Sequence, residues 1–289
     1  MSDLAWVERW VAVGGYGATL GVRAEHLSAD GARLALGFRT EISNGDTALH
    51  GGVAASMVDL AAGAVARAAL GEESGPWHTV AVQVGYLSAA LSEGIVATAR
   101  LLRRGKELAY VGVEVAGEGG KPIAAGTATV RGRFGAEPVV GPTALGDGGE
   151  ADPGPMGPFI GRVPFHAVLG LEVEHMAGGR SRIVLPATAA AGDAGGGVAE
   201  GAVLALLDTT GSMAAWAETG PGRFKASTTG LQARFLEPVP AGDLVGYGRV
   251  LHHDRELLLT DVEIARRDDR RVVVAGTVNY RIVTPELAR

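Results

Sequence analysis

Two aspartates interrupt stretches that otherwise have the 3.6-residue apolar spacing of buried helices. Asp59 follows the run His50-Gly51-Gly52, and Asp208 lies in GAVLALLDTTGSMAAW. Since the first helix should begin near Gly51 or Gly52, Asp59 lies about two turns inside it, too far to act as a cap. A buried carboxylate is costly without a partner, and burial raises its pKa towards the range useful for proton transfer. The two aspartates are therefore the first candidates for acid–base or nucleophilic chemistry.

The residues one helical turn before and after Asp59 are small, and so are Gly211 and Ser212 one turn after Asp208. A helix face of this kind leaves room for a groove past the carboxylate, so we predict that a substrate binds there. The predicted substrate-binding positions are Gly52, Ala62, Gly63, Gly211 and Ser212. The alternative is that each aspartate pairs with a polar group across a domain interface, and that the small residues only let helix and sheet pack closely.

Both aspartate-bearing stretches belong to an internal repeat. An offset of 149 positions places Asp59 over Asp208, and the alignment continues on both sides without a gap. The same offset matches Leu20-Gly21-Val22 with Leu169-Gly170-Leu171, Tyr86-Leu87 with Phe235-Leu236, and Val113-Glu114 with Val262-Glu263. Because this period is too long for a solenoid, the chain is predicted to be one domain duplicated in tandem.

The segment between the copies, residues 136–161, contains five prolines and seven glycines and has no apolar periodicity. Such a composition is typical of an extended linker, long enough to carry the chain across a pair of domains. The predicted organisation is a first domain over residues 1–135, a linker over 136–161 and a second domain over 162–289.

Both copies have the same predicted order of elements. A short strand (residues 33–38 and 182–185) precedes a polar loop and the Ala-rich helix. Strands follow at residues 79–87, 94–103, 108–116 and 123–133 in the first copy, and the alternation V-x-V-x-V-x-Y is typical of a half-buried strand. One buried helix followed by a run of strands predicts an α+β fold with an antiparallel sheet.

Composition excludes several classes of function. The chain has 289 residues, 47% of them hydrophobic, a formal net charge of −6 and no cysteine. A nucleic-acid partner is not expected, because phosphate binding needs a basic face, and neither thiolate catalysis nor a metal site is predicted. Asp59 and Arg67 interrupt the apolar stretch 53–70, which favours a buried helix over a membrane span. Glu8 and Arg9 break the apolar run at the N-terminus, so no signal peptide is predicted and a cytoplasmic location is expected.

Asn44 precedes the run His50-Gly51-Gly52, Asp59 follows nine positions after the histidine, and Tyr86-Leu87-Ser88 lies on a later strand. This pattern resembles that of the PaaI-type acyl-CoA thioesterases of the hot-dog superfamily. It implies, in each copy, an antiparallel sheet wrapped around one central helix, with the two copies paired as a double hot-dog. It also implies an acyl-CoA substrate with no cofactor beyond that coenzyme A, and it is compatible with a homodimer of double chains.

The resemblance further implies the roles of individual residues. The main-chain N–H of Gly51 would polarise the thioester carbonyl, with Asn44 beside it, and the helix aspartate would be the general base or the nucleophile. Thr79 and Thr228, on the first strand after each helix, would orient the attacking water. The Asn/Gly set of one unit would meet the Asp/Thr set of the other. His50, which leads into the helix, is predicted to be either a proton shuttle or a structural hydrogen-bonding residue.

The electrostatics of thioester hydrolysis suit this arrangement, because free N–H groups at a helix start point at the charge that develops on the carbonyl oxygen. In the second copy, however, the asparagine, the histidine and the first glycine are replaced by Asp193, Ala199 and Glu200. The predicted complete site consists of Asn44, His50, Gly51, Asp208 and Thr228. The other site combines Asp59 and Thr79 with a glutamate whose charge would oppose an oxyanion.

Two other functions fit parts of the pattern. A hot-dog hydratase acting on an enoyl thioester would need an acid–base pair in a D-x4-H or H-F-P-G setting, and neither string is present. A non-catalytic acyl-CoA-binding module would use the same groove of small residues, and the altered motif of the second copy is compatible with lost catalysis. Release of free thiol from an acyl-CoA distinguishes a thioesterase from both.

Overall fold

The computed structural model describes residues 4–13, 15–45, 47–133, 141–146 and 149–284. Its helices in these ranges are α1 (Ala5–Ala12), α2 (Gly15–Leu20), α3 (Gly51–Leu70), α4 (Gly157–Ile160), α5 (Pro164–Leu169) and α6 (Glu200–Thr219). The strands of the first half are β1 (Arg23–Leu27), β2 (Gly31–Leu36), β3 (His78–Tyr86), β4 (Ile95–Arg104), β5 (Leu108–Gly117) and β6 (Pro122–Arg131). Those of the second half are β7 (Glu172–Ala177), β8 (Arg180–Leu185), β9 (Lys225–Phe235), β10 (Leu244–Asp254), β11 (Leu257–Arg266) and β12 (Val272–Val283). Short 3-10 turns lie at Thr40–Ile42, Glu72–Ser74 and Glu118–Gly120.

All twelve strands form one antiparallel sheet in the order β1-β2-β4-β5-β6-β3-β9-β12-β11-β10-β8-β7. The two halves meet at its centre, where β3 pairs with β9 and Gln83 lies opposite Gln232. These two glutamines are one repeat apart, so an approximate two-fold axis passes between them and exchanges the halves. The predicted α+β fold, with two tandem domains each made of an antiparallel sheet and a central helix, is confirmed, and the two sheets join edge to edge through β3 and β9.

Each half places one long helix against the inner face of its own strands. Helix α3 packs on β4, β5 and β6, and α6 packs on β8, β10, β11 and β12. Both helices end at a glycine with positive φ, Gly71 at 91° and Gly220 at 84°, a conformation that glycine adopts at little cost. Helix α3 has the length and apolarity of a membrane span, yet 89% of its most apolar window is buried inside the fold. The sequence prediction of a buried helix at 53–70 is confirmed.

Part of the predicted linker can be followed along the second half, whereas its residues 136–140 and 147–148 lie outside the described residues. Ala144 is buried against Tyr247 and Val272, and the N–H of Val272 donates to the carbonyl of Pro142. Helix α5 then packs on the 3-10 turn at Thr40–Ile42 of the first half. The end of this segment therefore contacts both halves, and the limits proposed for the domains stay a prediction.

Candidate active site

The two central helices touch through their first turns and run antiparallel there. A Cβ on Gly52 would stand 2.8 Å from the Cβ of Ala205, and the hydroxyl of Ser56 donates to the carbonyl of Gly201 at 2.9 Å. Glycine at these positions allows the helix backbones to approach closely. Because of this crossing, the start of each helix lies beside the aspartate of the other, and each candidate site is built from both halves.

At the first candidate site, Asp208 of α6 faces Gly51 at the start of α3. Its Oδ2 lies 2.9 Å from the point where a Cβ on Gly51 would stand. Its other oxygen, Oδ1, accepts a hydrogen bond from the hydroxyl of Thr228 at 2.6 Å. Burial raises the pKa of Asp208 to about 6, against the opposing effect of the Thr228 hydrogen bond. The carboxylate therefore titrates close to neutral pH, with one oxygen fixed and the other facing the helix start.

Equivalent β-bulges direct the two threonines towards the aspartates. In β3 the bulge lies at Val80, because Thr79 pairs with Val130 and the next paired residue is Ala81. In β9 it lies one repeat later, between Thr228 and Gly230. A bulge bends its strand and changes the direction of a side chain, and it is common beside active sites.

The start of α3 offers a main-chain donor beside Asp208. The N–H of Gly52 donates to Nδ1 of His50, and the N–H of Val53 donates to the His50 carbonyl. Within the described part of the chain, no group accepts a hydrogen bond from the N–H of Gly51. The hydroxyl of Tyr86 donates to the carbonyl of Gly51 at 3.1 Å and anchors this residue from the other side. Gly51 thus has a free N–H at a helix N-terminus, where partial positive charge favours an anion.

The other predicted members of this site have different surroundings. His50 is buried and caps α3, and its Nε2 lies 2.9 Å from Nε2 of His166, so both ring nitrogens contact protein groups. Asn44 lies in the loop before α3, where its N–H donates to the carbonyl of Ala48 and its side chain is exposed. The structure therefore brings Gly51, Asp208 and Thr228 together and places His50 behind the helix start.

The second candidate site has a different arrangement around Asp59. The hydroxyl of Thr79 lies 2.9 Å from Oδ1 of Asp59 and 2.6 Å from Oε2 of Glu200, while the N–H of Thr79 donates to Oε1 of Glu200. Because this hydroxyl has one hydrogen, only one carboxylate can accept from it, and the pair is satisfied when the other is protonated. Burial and the charge of Glu200 raise the pKa of Asp59 to about 8, and burial raises that of Glu200. Glu200 thus fills the position that Gly51 leaves open in the first site.

Beyond this carboxyl pair, the space beside Asp59 contains a buried cation. The Arg67 guanidinium stacks over Trp10, 3.5 Å from the ring centre, and lies 5.2 Å from the centre of Trp77. A cavity of about 80 Å³ remains between these groups and Glu200. In the described ranges, no group of three or more His, Cys, Asp or Glu side chains is placed to hold a metal ion.

At the positions whose neighbours are visible, the small residues predicted to bind substrate pack closely against other parts of the fold. A Cβ on Gly211 would meet Val278 at 2.5 Å, and one on Gly63 would meet Trp10 at 2.7 Å. Gly52 is closed by the approach of α6. Ala62 is fully buried, and Ser212 is also buried, its hydroxyl donating to the carbonyl of Thr209. The space that small side chains leave is thus filled by sheet, helix or tryptophan.

Several residues at the two sites were not predicted from the sequence. Tyr86 could have been, because it ends an alternating strand whose other inward residues are valines. Arg67 was noted only as a charge that interrupts an apolar helix, and His166 gave no local signal, since the contacts of both join segments far apart in the chain.

Comparison with known proteins gives the same duplicated fold. The family model described as Thioesterase superfamily matches residues 47–124 and 195–273, one match in each half and together more than half of the chain. None of the curated proteins matches the sequence.

Solved structures match nearly the whole chain at low sequence identity. The tesB protein of Mycobacterium avium subs paratuberculosis is 12% identical with a TM-score of 0.63, covering 92% of this chain and 98% of that one. Acyl-CoA thioesterase II TesB2 of Mycobacterium marinum is 13% identical with a TM-score of 0.60, covering 92% and 96%. A protein of unknown function with a hot dog fold from Alicyclobacillus acidocaldarius is 15% identical with a TM-score of 0.61, covering 88% and 94%. This likeness shows the fold, two tandem hot-dog domains.

Proposed function

Because the chain belongs to the thioesterase superfamily, we propose that it hydrolyses an acyl-CoA thioester at the Asp208 site, releasing a free acid and coenzyme A. The observation that carries the proposal is the approach of the Asp208 carboxylate to Gly51 of the other half, whose main-chain N–H donates to no group among the described residues. Attack of water on an acyl carbonyl requires a base and an oxyanion donor close to each other.

In the proposed reaction Asp208 is the general base. It takes a proton from a water molecule as the water oxygen bonds to the thioester carbon, and the negative charge moves to the carbonyl oxygen, which the N–H of Gly51 stabilises. The C–S bond then breaks, and the leaving thiolate takes the proton back from Asp208. Thr228 holds one carboxylate oxygen, so the other is left for the water. A base whose pKa lies near 6 suits proton uptake at neutral pH.

We assign no turnover to the Asp59 site. Glu200 places a carboxylate where the first site has Gly51, and its negative charge would repel a developing oxyanion. Arg67 and Trp10 fill the space one to two turns further along α3. The finer assignment of the first half to PaaI-type enzymes rests on the residues from Asn44 to Asp59 and on Tyr86-Leu87-Ser88, and it belongs to the same proposal.

The test is release of free thiol from a panel of acyl-CoAs of increasing chain length. Wild-type protein should release thiol from at least one of them, and Asp208→Asn should abolish this while keeping its fold by circular dichroism. A single turnover in ¹⁸O-labelled water should put the label in the released acid and leave Asp208 unlabelled. Saturable binding of an acyl-CoA without thiol release would contradict the proposal and favour a binding module.

A further inference from the structure

A buried chain of hydrogen bonds joins the start of α3 to the second half of the molecule. Nε2 of His50 lies 2.9 Å from Nε2 of His166, and Nδ1 of His166 lies 3.0 Å from the carbonyl oxygen of Ile160. His50 and His166 are 6% and 3% exposed. At the equivalent positions one repeat away stand Ala199 and Gly17, which carry no polar side chain. This chain of hydrogen bonds therefore belongs to the Asp208 site and has no equivalent at the Asp59 site.

The hydrogen-bond partners assign the tautomer of each ring. The N–H of Gly52 donates to Nδ1 of His50, so this nitrogen carries a lone pair and the proton of His50 is on Nε2. The carbonyl of Ile160 can only accept, so His166 is protonated at Nδ1 and accepts through Nε2. The hydroxyl of Thr209, next to Asp208, also lies 3.1 Å from that nitrogen. One direction of donation thus runs from His50 to His166 and on to Ile160.

Both rings must be neutral for these hydrogen bonds to form. A second proton on His50 would place an N–H opposite the N–H of Gly52, and a second proton on His166 would place one opposite the N–H of His50. Burial lowers the pKa of His166 to about 4. Burial and the nearby His166 ring lower the pKa of His50 well below its ordinary value. Phe165 packs on the His50 ring with the ring centres 5.1 Å apart, and its N–H donates to the carbonyl of Ser43. The contact between α5 and the loop before α3 therefore holds the His50 ring in one orientation.

Gly51 lies between His50, whose ring is held in this way, and Gly52, whose N–H donates to that ring. We propose that His166 is a positioning residue of the Asp208 site: through His50 it fixes the first turn of α3 and so aims the N–H of Gly51 at the reacting carbonyl. The inference rests on the proposed thioester hydrolysis. His166 itself touches neither Gly51 nor Asp208 through any hydrogen bond of the described residues.

Three substitutions at position 166 separate positioning from packing. His166→Phe keeps a ring of similar size and removes the hydrogen bonds with His50, Ile160 and Thr209. His166→Asn can keep a donor near the carbonyl of Ile160 but has no atom at the position of Nε2. His166→Gln can place its amide oxygen near that position and accept from His50. If the hydrogen bond to His50 positions the site, His166→Phe and His166→Asn should lose a similar part of kcat, and His166→Gln should recover it.

Steady-state thiol release by the full chain tests this. Loss of one oxyanion donor costs about 10²–10³ in rate, so its misalignment in His166→Phe and His166→Asn should lower kcat about tenfold. KM should stay near the wild-type value, and His166→Gln should recover most of kcat. Imidazole ¹⁵N NMR of histidine-labelled wild type should show His50 protonated at Nε2 and His166 at Nδ1.

The possible failures can be told apart. A wild type that releases no thiol would overturn the proposed function and this inference with it. An active wild type whose kcat is unchanged in His166→Phe would overturn the inference alone. So would equal losses in the Phe, Asn and Gln variants that follow their thermal stability, because packing would then explain them. An NMR spectrum that shows His50 protonated at Nδ1 would also overturn the inference, because Nδ1 could then not accept from the N–H of Gly52.

Discussion

Oδ2 of Asp208 lies 2.9 Å from the position that a Cβ on Gly51 would take, although the two residues are 157 positions apart in the chain. The contact joins the aspartate of one domain to the helix start of the other. It places a carboxylate beside a residue whose main-chain N–H donates to no other group among the described residues. The proposed hydrolysis depends on this contact, because it supplies both the base and the oxyanion donor.

Substitution of Gly51 tests the contact directly. In Gly51→Ala the added methyl would displace the Asp208 carboxylate while leaving the main-chain N–H in place. A misplacement of about 1 Å can cost about 10²-fold in rate, so kcat for thiol release should fall by that order with little change in thermal stability. Glu200→Ala, at the equivalent position of the other half, is the matched control and should keep the wild-type rate. Equal losses in both variants would contradict the assignment.

The pH dependence of kcat/KM should report Asp208. The proposed base must be ionised, and its folded-state pKa is about 6, so kcat/KM should fall as the pH drops through about 6. The Thr228 hydrogen bond lowers this pKa, so Thr228→Val should move the acidic limb to higher pH. A hydrogen bond to a charged group is worth about 1.5–3 kcal/mol, which corresponds to about one to two pH units. Thr79→Val should leave the limb unmoved, and a shift there instead would place the base at Asp59.

Stability should depend on pH through the Asp59–Glu200 pair. The pKa of Asp59 is raised from 3.8 to about 8, so the folded state holds this proton more tightly than the unfolded state. The stabilisation is fully present below about pH 4 and is lost as the pH rises through about 8, with a slope of at most about 1.4 kcal/mol per pH unit. Asp59→Asn cannot ionise, so its free energy of unfolding should decline less steeply. Urea titrations of both proteins between pH 5 and 8.5 measure the difference, and parallel slopes would refute this shared-proton interpretation.

Much of the fold could be predicted from local pattern. The helix start at Gly51 and strands β2 to β6 lie within two residues of the predicted bounds, because burial imposes periods of 3.6 and 2 on a sequence, whereas strand β1 was given no predicted bounds. The repeat supplied the second half, and the resemblance to hot-dog thioesterases implied that each aspartate faces the other copy. Helices α1 and α2 were not predicted, since each is short.

The site could be predicted only in part, because its details depend on which segments meet. The small residues beside Asp208 indicated free space, whereas Val278 of β12 fills the space at Gly211. The stacking of Arg67 on Trp10 joins α3 to an N-terminal helix that the repeat alignment does not reach. Glu200 was expected to disturb an oxyanion, and its hydrogen bonds to Thr79 were not foreseen. Local sequence gives the residue types, and tertiary contacts decide their partners.

The most direct measurement is the rate of thiol release by Asp208→Asn and Asp59→Asn, compared with wild type under the same conditions. The two substitutions make the same change at positions one repeat apart, so general effects of removing a buried carboxylate are matched. Loss of a positioned base costs about 10²–10⁴ in rate, so Asp208→Asn should lose at least 10²-fold while Asp59→Asn keeps the wild-type rate. Turnover that survives in Asp208→Asn and disappears in Asp59→Asn would contradict the assignment of the base to Asp208.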